Sequence, residues 1–549
     1  MNSVTVLDRA REIAVVTAVD GWHITGAVRS SGDSAGEEQV LSHEAGDAEF
    51  GALVKVPAGE SIVIGAISRI WSQESNSGQS TSRTMVEIEM LGELTGPSGG
   101  TSSRFQRGVS KYPKIGSRIL EATSEDIGRV YATASAENVR IGSLYHDPRR
   151  PVNLLVDQLL GKHFAVLGTT GSGKSCSTAL ILHAVLDAYP KGHVIILDPH
   201  NEYRTAFAAS AEILDPANLR LPYWLLNFEE AAATFCSQDP LTREYEAAIL
   251  KEAIRSARRD FARARGGVNA QVGYITVDTP SPYLLDDALA VIEKGLGKLE
   301  KPGGALPYLR LIAKIDALRS DDRFSVMFVR DAVDDTLADI VCRLIRFPVD
   351  DKPVTIIDLS GVPSEIVDVV VSIISRMIFD FALWSAEPQA APVLLVCEEA
   401  HRYVPRDEKL GFSPTRRAIT RIAMEGRKYG VSLCLVSNRP SGLSPTMLAQ
   451  CNTIFALRMS NQQDHDFIRS ALPEGMGGLV GALPALRPQE AIVVGDGVGL
   501  PLRLRFSDLP EGKRPRSTTA QFSQAWKATE IGRDFVRETI SRWRHQRRD

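Results

Sequence analysis

The chain has 549 residues, too many for one ordinary domain, so two to four domains are expected. Hydrophobic residues make up 44% and charged residues 24%, the balance of a globular protein without a compositional extreme. A formal net charge of -4 excludes a uniformly basic nucleic-acid coat, while a local basic surface such as a pore lining stays compatible with it.

The six cysteines, Cys176, Cys236, Cys342, Cys397, Cys434 and Cys451, are scattered and form no C-x-x-C pair. That spacing argues for reduced thiols and against a disulfide framework or a zinc site. Residues 1–16 carry charges inside their apolar stretch, so no signal peptide is expected. No run of about 18 apolar residues is free of charge, so no membrane span is expected and the cytoplasm is the expected location.

Residues 1–150 read as β-rich. Short apolar runs begin at Ala52 and Ser61, and the polar stretches around 73–83 and 94–104 read as loops. Many short strands with Gly-rich turns fit a small barrel. Near residue 150 the pattern changes. Apolar strand-like runs begin at Phe164, His193, Val354, Val393, Val431 and Thr453, and Ser175–Ala188 has helical spacing. Continuous apolar strands linked by helices indicate an α/β core with a parallel sheet covered on both faces. Residues 205–345 read as a helical insertion, with helices over Leu241–Ala264 and Pro282–Leu296. The expected layout is a barrel over 1–150, a core over 151–506 carrying that insertion, and a linker with a basic helix over 507–549. The helix is either a solvated tail or a brace against a subunit or DNA.

Gly168, Thr169, Thr170, Gly171, Ser172, Gly173, Lys174 and Ser175 match the P-loop pattern in full, between an apolar strand and a helix. Glycines let backbone N–H groups turn inward around phosphates, and the helix N-terminus adds a favourable dipole. Lys174 brings a point charge to the β- and γ-oxygens, and the Ser175 hydroxyl can ligate Mg²⁺. Glu398 and Glu399 follow five apolar residues, at the strand end where α/β sheets place ligands. Glu398 is expected nearer the magnesium and Glu399 as the general base that polarises water. Asp198 or Glu202 can sit across the metal or position water; Asp198 can equally cap the turn that follows it.

Arg416, Arg417, Arg421 and Arg427 lie in one basic, mostly helical segment. Arg427 is the first choice to stabilise charge developing at a γ-phosphate, in cis or in trans. The other three can pair with acids across an interface or simply be solvated. Asn438, after the next strand, can sense the γ-phosphate or belong to a plain turn ended by Pro440. Lys162 is read as a solvated lysine or a contact across a subunit boundary.

In this order these segments resemble the HerA-type ATPases, relatives of the FtsK DNA pumps. Phe105–Gly116 is similar to part of their barrel, and Leu167–Ser175 to their P-loop. Asp198–Tyr203 is similar to their second motif, Glu398–Pro405 to their Walker B block and Gly426–Gly430 to their arginine motif. The family usually has Asp at the position of Glu398 and Gln at the position of Asn438. The resemblance implies a RecA-like P-loop core, ATP held by Gly168 through Cys176, and Mg²⁺ near Ser175 and Glu398. It implies catalysis by Lys174, Glu399, Arg427 and Asp198, with Asn438 as sensor. It further implies a homohexameric ring around double-stranded DNA. The partner on its barrel would be a NurA-like nuclease or an antiphage effector, such as a sirtuin-like NAD-consuming protein. The alternative is an ATP-regulated scaffold that assembles a partner. A secretion-type coupling ATPase is a third option, against which the lack of a membrane span counts.

Overall fold

The computed structural model describes residues 10–28, 48–74, 82–95, 104–131, 137–266, 272–298, 304–328, 333–387, 391–471, 480–516, 522–527 and 532–544. Most of the loops expected at 73–83 and 94–104, and the last five residues of the basic tail, lie outside these. The chain divides into two compact units, Met1–Val185 with Ser437–Asp508, and Leu186–Val436 with Leu509–Asp549.

In the first unit, alternating apolar residues build β1 (Glu12–Asp20), β2 (His23–Val28), β3 (Leu53–Ala58), β4 (Ser61–Glu74), β5 (Ser82–Thr95), β6 (Arg104–Arg107) and β7 (Arg118–Glu121). They pair in the order β2-β1-β7-β3-β4-β5-β6, and a further β2–β5 pairing closes six of them into a barrel. Val16, Ile24, Val54, Val56, Val86 and Ile88 fill its interior. Closure removes the free edges that an open antiparallel sheet would expose.

The barrel also buries a charge. Lys55 of β3 is 1% exposed and bonds Asp126 at 2.7 Å. Asp126 sits in the capping box of the helix Ser124–Val130 and accepts from the backbone N–H and hydroxyl of Thr123. Burial pushes the Asp126 carboxyl up, but the Lys55 and Thr123 hydrogen bonds outweigh it and hold the group below the usual carboxylate range.

The remaining strands are β8 (Asn138–Leu144), β9 (Pro151–Leu155), β10 (His163–Leu167), β11 (His193–Asp198), β12 (Ala211–Leu214), β13 (Val354–Asp358), β14 (Val393–Cys397), β15 (Val431–Ser437), β16 (Cys451–Ala456), β17 (Glu490–Gly495) and β18 (Leu502–Phe506). In the first unit the neighbours run β10-β16-β17-β18-β8-β9. β10 and β16 are parallel, and the other pairs are antiparallel. Arg107 of β6 ties the barrel to the turn after β17, donating to the carbonyls of Gly495 (3.1 Å), Val498 (2.9 Å) and Gly499 (3.1 Å). It also pairs with Asp496 at 3.3 Å. Lys162 bonds the same carboxylate at 2.6 Å, so it is more than a solvated lysine. That bond holds the Asp496 carboxyl below its ordinary range.

In the second unit β12-β13-β11-β14-β15 form a wholly parallel array. The insertion between β11 and β13 contains the expected helices, observed at Pro240–Gly266 and Leu285–Leu296, with others at Phe228–Phe235, Leu306–Ser320 and Leu337–Ile345. It also contains β12, a four-residue strand beside β13 that the helical reading passed over. Arg258 organises this region. It is 1% exposed and donates to the carbonyls of Trp224 (2.9 Å), Leu226 (3.2 Å) and Val277 (2.7 Å). Its guanidinium lies 5.5 Å from the Tyr283 ring centroid. Carbonyl dipoles and a π-face thus replace a counter-ion.

The helix Arg533–Arg544 buries none of its residues; Phe535, Val536, Ile540 and Trp543 stay exposed. Among the described residues no helix is long and apolar enough to cross a membrane.

Replacing Lys55 by Met leaves Asp126 buried without its cation. The expected cost is about 3–5 kcal/mol of unfolding free energy, measured by urea titration. Because the folded Asp126 pKa is lowered, the native pair's contribution is complete above an unfolded value of about 3.9 and fades as pH falls through the folded value. Lys55→Met should flatten that acid limb.

Candidate active site

The P-loop begins where β10 ends. Gly171 and Gly173 have φ of +77° and +98°, and nothing lies within 4 Å of a Cβ built at Gly171. Side chains there would be strained, and the loop's open face would be narrowed. The loop is fixed from below by Gly168 N–H to the Ser437 carbonyl (3.3 Å) and Thr169 N–H to the Arg458 carbonyl (3.1 Å). Lys174, the first residue of the helix Lys174–Ala188, folds its ammonium back to the Thr169 carbonyl at 3.1 Å. Thr170, Gly171 and Cys176 are exposed, and Ser175 is half-buried at the helix start. The Ser172 hydroxyl is buried and has no hydrogen-bond partner among the described residues. An orphaned buried polar atom in a concave loop of inward-turning glycines fits a phosphate-bearing ligand. Asn438 is half-buried one residue beyond Ser437, so it belongs to the same unit as the loop.

The acids lie in the second unit. Glu398 continues the ladder of β14, its N–H reaching the Leu197 carbonyl of β11 at 3.3 Å. Its side chain is buried and accepts a hydrogen bond from the Tyr203 hydroxyl. Glu399 then takes a left-handed backbone, φ +53°, and opens the 3-10 turn Ala400–Arg402. A non-glycine residue in that region costs about 1–2 kcal/mol, and such outliers gather at functional sites. Its carboxylate lies 3.6 Å from His200 Nε2 and 3.3 Å from His401 Nδ1.

Asp198 shows the turn-capping arrangement. Oδ1 accepts from the N–H groups of His200 and Glu202, both at 3.2 Å, and Oδ2 from Tyr203 N–H at 2.9 Å. Burial raises its pKa despite these bonds, and Asp358 adds to the rise. Asp358 is the register partner of Asp198 at the end of β13. Reading the sequence for acids at strand ends missed Asp358 and left Tyr203 without a role. The available signal was the five-residue step from Asp198 to Tyr203, which gives one acid a backbone N–H and the other a hydroxyl.

The four arginines separate cleanly. Arg417 pairs with Glu229 at 2.6 Å. Arg421 pairs with Asp380 at 3.4 Å and lies over the Phe379 ring, 4.3 Å from its centroid. Arg416 donates to the Glu408 carbonyl. These contacts lie within the chain. Arg427 sits on the 3-10 turn Gly426–Tyr429, exposed, and has no partner among the described residues.

Residues 139–378 match the family described as Helicase HerA, central domain. The DNA double-strand break repair helicase HerA of Pyrococcus furiosus is 26% identical over 454 residues, covering 74% of this chain and 75% of that one. The HerA of Saccharolobus solfataricus is 27% identical over 427 residues, covering 76% and 77%. Along most of its length the chain is thus similar to the HerA helicases. Among solved structures, VirB4 of Thermoanaerobacter pseudethanolicus aligns with a TM-score of 0.46 at 15% identity, covering 69% of this chain and 99% of that one. In this chain the longer Glu398 reaches the Tyr203 hydroxyl, which gives its departure from Asp a structural use.

Tyr203→Phe removes that hydroxyl alone. It should lower unfolding free energy by about 1.5–3 kcal/mol, as for a hydrogen bond to a charged group, read by chemical denaturation.

Proposed function

We propose that this protein is a HerA-type ATPase, a homohexameric motor that couples ATP hydrolysis to movement along double-stranded DNA. The observation that carries the reading is Arg427. Its three basic neighbours are bound within the chain, while it is exposed on a short turn and has no partner among the described residues. Such a side chain is available to a nucleotide held by a neighbouring subunit, where an arginine is worth about 10³–10⁵ in rate.

Gly168 through Cys176 would hold ATP, with Lys174 on the β- and γ-oxygens. Mg²⁺, when bound, neutralises charge on the phosphate oxygens; Ser175 and Glu398 would hold it, directly or through water. Glu399 takes the proton of the attacking water, and its two histidine neighbours hold its carboxylate in place. Asp198 acts as a positioning residue for the loop that carries His200 and Tyr203. Asn438 would report on the γ-phosphate. DNA would be held through its phosphates without sequence readout, so binding should weaken steeply with salt. The relatives' role in double-strand break repair supports a DNA substrate. The barrel would dock a separate effector, a nuclease or an antiphage protein such as a sirtuin-like one.

A scaffold reading has one observation in its favour: Glu398 is engaged by Tyr203, which can temper hydrolysis while leaving ATP binding intact. Glu399→Gln separates the two. Its kcat should fall by about 10²–10⁴ with ATP affinity retained. If effector activity and roadblock displacement on duplex DNA vanish while the complex still assembles, the motor reading stands. Effector activity that survives without hydrolysis gives the scaffold.

Arg427→Ala should leave ATP binding and oligomer size unchanged and cut turnover by about 10³ or more. Doping wild-type protein with this variant tests the trans role. A steeper-than-proportional loss of activity is expected, whereas a strictly linear loss places Arg427 on its own subunit's nucleotide.

A further inference from the structure

A cavity of about 540 Å³ in the second unit lies between the helical insertion and the helix Ser364–Trp384 and involves none of the residues assigned above. Its size falls within the range of about 300–1,000 Å³ usual for small-molecule sites. Phe235, Leu318, Met327 and Phe412 supply apolar and aromatic lining.

Two polar features are distinctive. Glu246 lines the cavity and is 1% exposed. Its Oε2 accepts the Ser237 N–H at 2.6 Å, but its buried Oε1 has no hydrogen-bond partner among the described residues. A carboxylate oxygen left that way costs free energy unless a ligand supplies a donor. Arg310 and Lys314 also line the cavity. Both are exposed, four residues apart on the helix Leu306–Ser320, and so share one face. The helix Ser364–Trp384 contributes Glu365 and Asp368, which confines any anionic part of a ligand to the Arg310–Lys314 side.

We propose that this cavity is a second nucleotide site, for a guanine mononucleotide whose base meets Glu246 and whose phosphate meets Arg310 and Lys314. An ionised carboxylate only accepts. Guanine offers it adjacent N1–H and N2–H donors, whereas adenine presents an acceptor beside its single amino group. The base's faces suit the aromatic and aliphatic walls. Two cations at one helix face suit a single phosphate.

The test is calorimetric titration of GMP into the full chain saturated with Mg²⁺ and the non-hydrolysable AMPPNP, so that the P-loop is occupied. Saturable GMP binding is expected, with AMP weaker by about tenfold or more. Glu246→Gln and the surface double variant R310A/K314A should each weaken GMP by about tenfold or more. If Glu246→Gln fails to fold, the surface double variant carries the test. No GMP binding up to millimolar concentration overturns the site. GMP binding unchanged in the variants that fold also overturns it, and equal affinity for AMP and GMP overturns the guanine assignment.

Discussion

Everything chemical in this protein follows from strands buried on both faces. β10, β13, β14 and β15 are inaccessible along their full length, and β11 is so after His193. A charge inside such a strand would lose its hydration without recovering it. Functional groups are therefore displaced to the carboxyl ends. Gly168 follows β10, Asp198 closes β11, Asp358 closes β13, Glu398 follows β14 and Ser437 closes β15. The carboxyl edge is where a charged residue of these strands is least costly.

Placing acids there creates a second problem, because Asp198, Asp358 and Glu398 are all buried. The structure solves it by giving them unequal partners. Asp198 spends both oxygens on three backbone N–H groups and becomes part of the loop's skeleton. Glu398 takes the Tyr203 hydroxyl. Glu399 is turned out of the strand direction by its left-handed backbone and faces two histidines.

Much of this was legible in the residues. The core strands and the long helices of the insertion announce themselves by apolar period, and the P-loop by spacing. What escaped had no local signature. β12 is four residues long and reads Ala-Glu-Ile-Leu, which a helix tolerates equally; only its pairing with β13 makes it a strand. The partners of Lys162 and Asp126 lie 334 and 71 residues away, so no window of sequence could pair them. Arg416, Arg417 and Arg421 look as available as Arg427 on paper. Helical spacing gives each a direction, but whether an acid waits there depends on the packing of distant helices, here those carrying Glu229 and Asp380.

The Asp496 carboxylate shows how the barrel becomes more than an appendage. It receives Lys162, the residue before β10, and Arg107, the last residue of the barrel's β6. Asn452 of β16 also donates to it, at 3.4 Å. One side chain therefore joins the barrel to both parallel strands that flank the base of the P-loop. Arg107 adds three carbonyl contacts along the same turn, so the joint resists rotation as well as separation. A guanidinium can do this because its donors are fixed in a plane; a lysine there would satisfy the charge but leave the barrel free to swivel. The barrel and the start of the P-loop strand are thus joined through this one carboxylate and the turn that carries it.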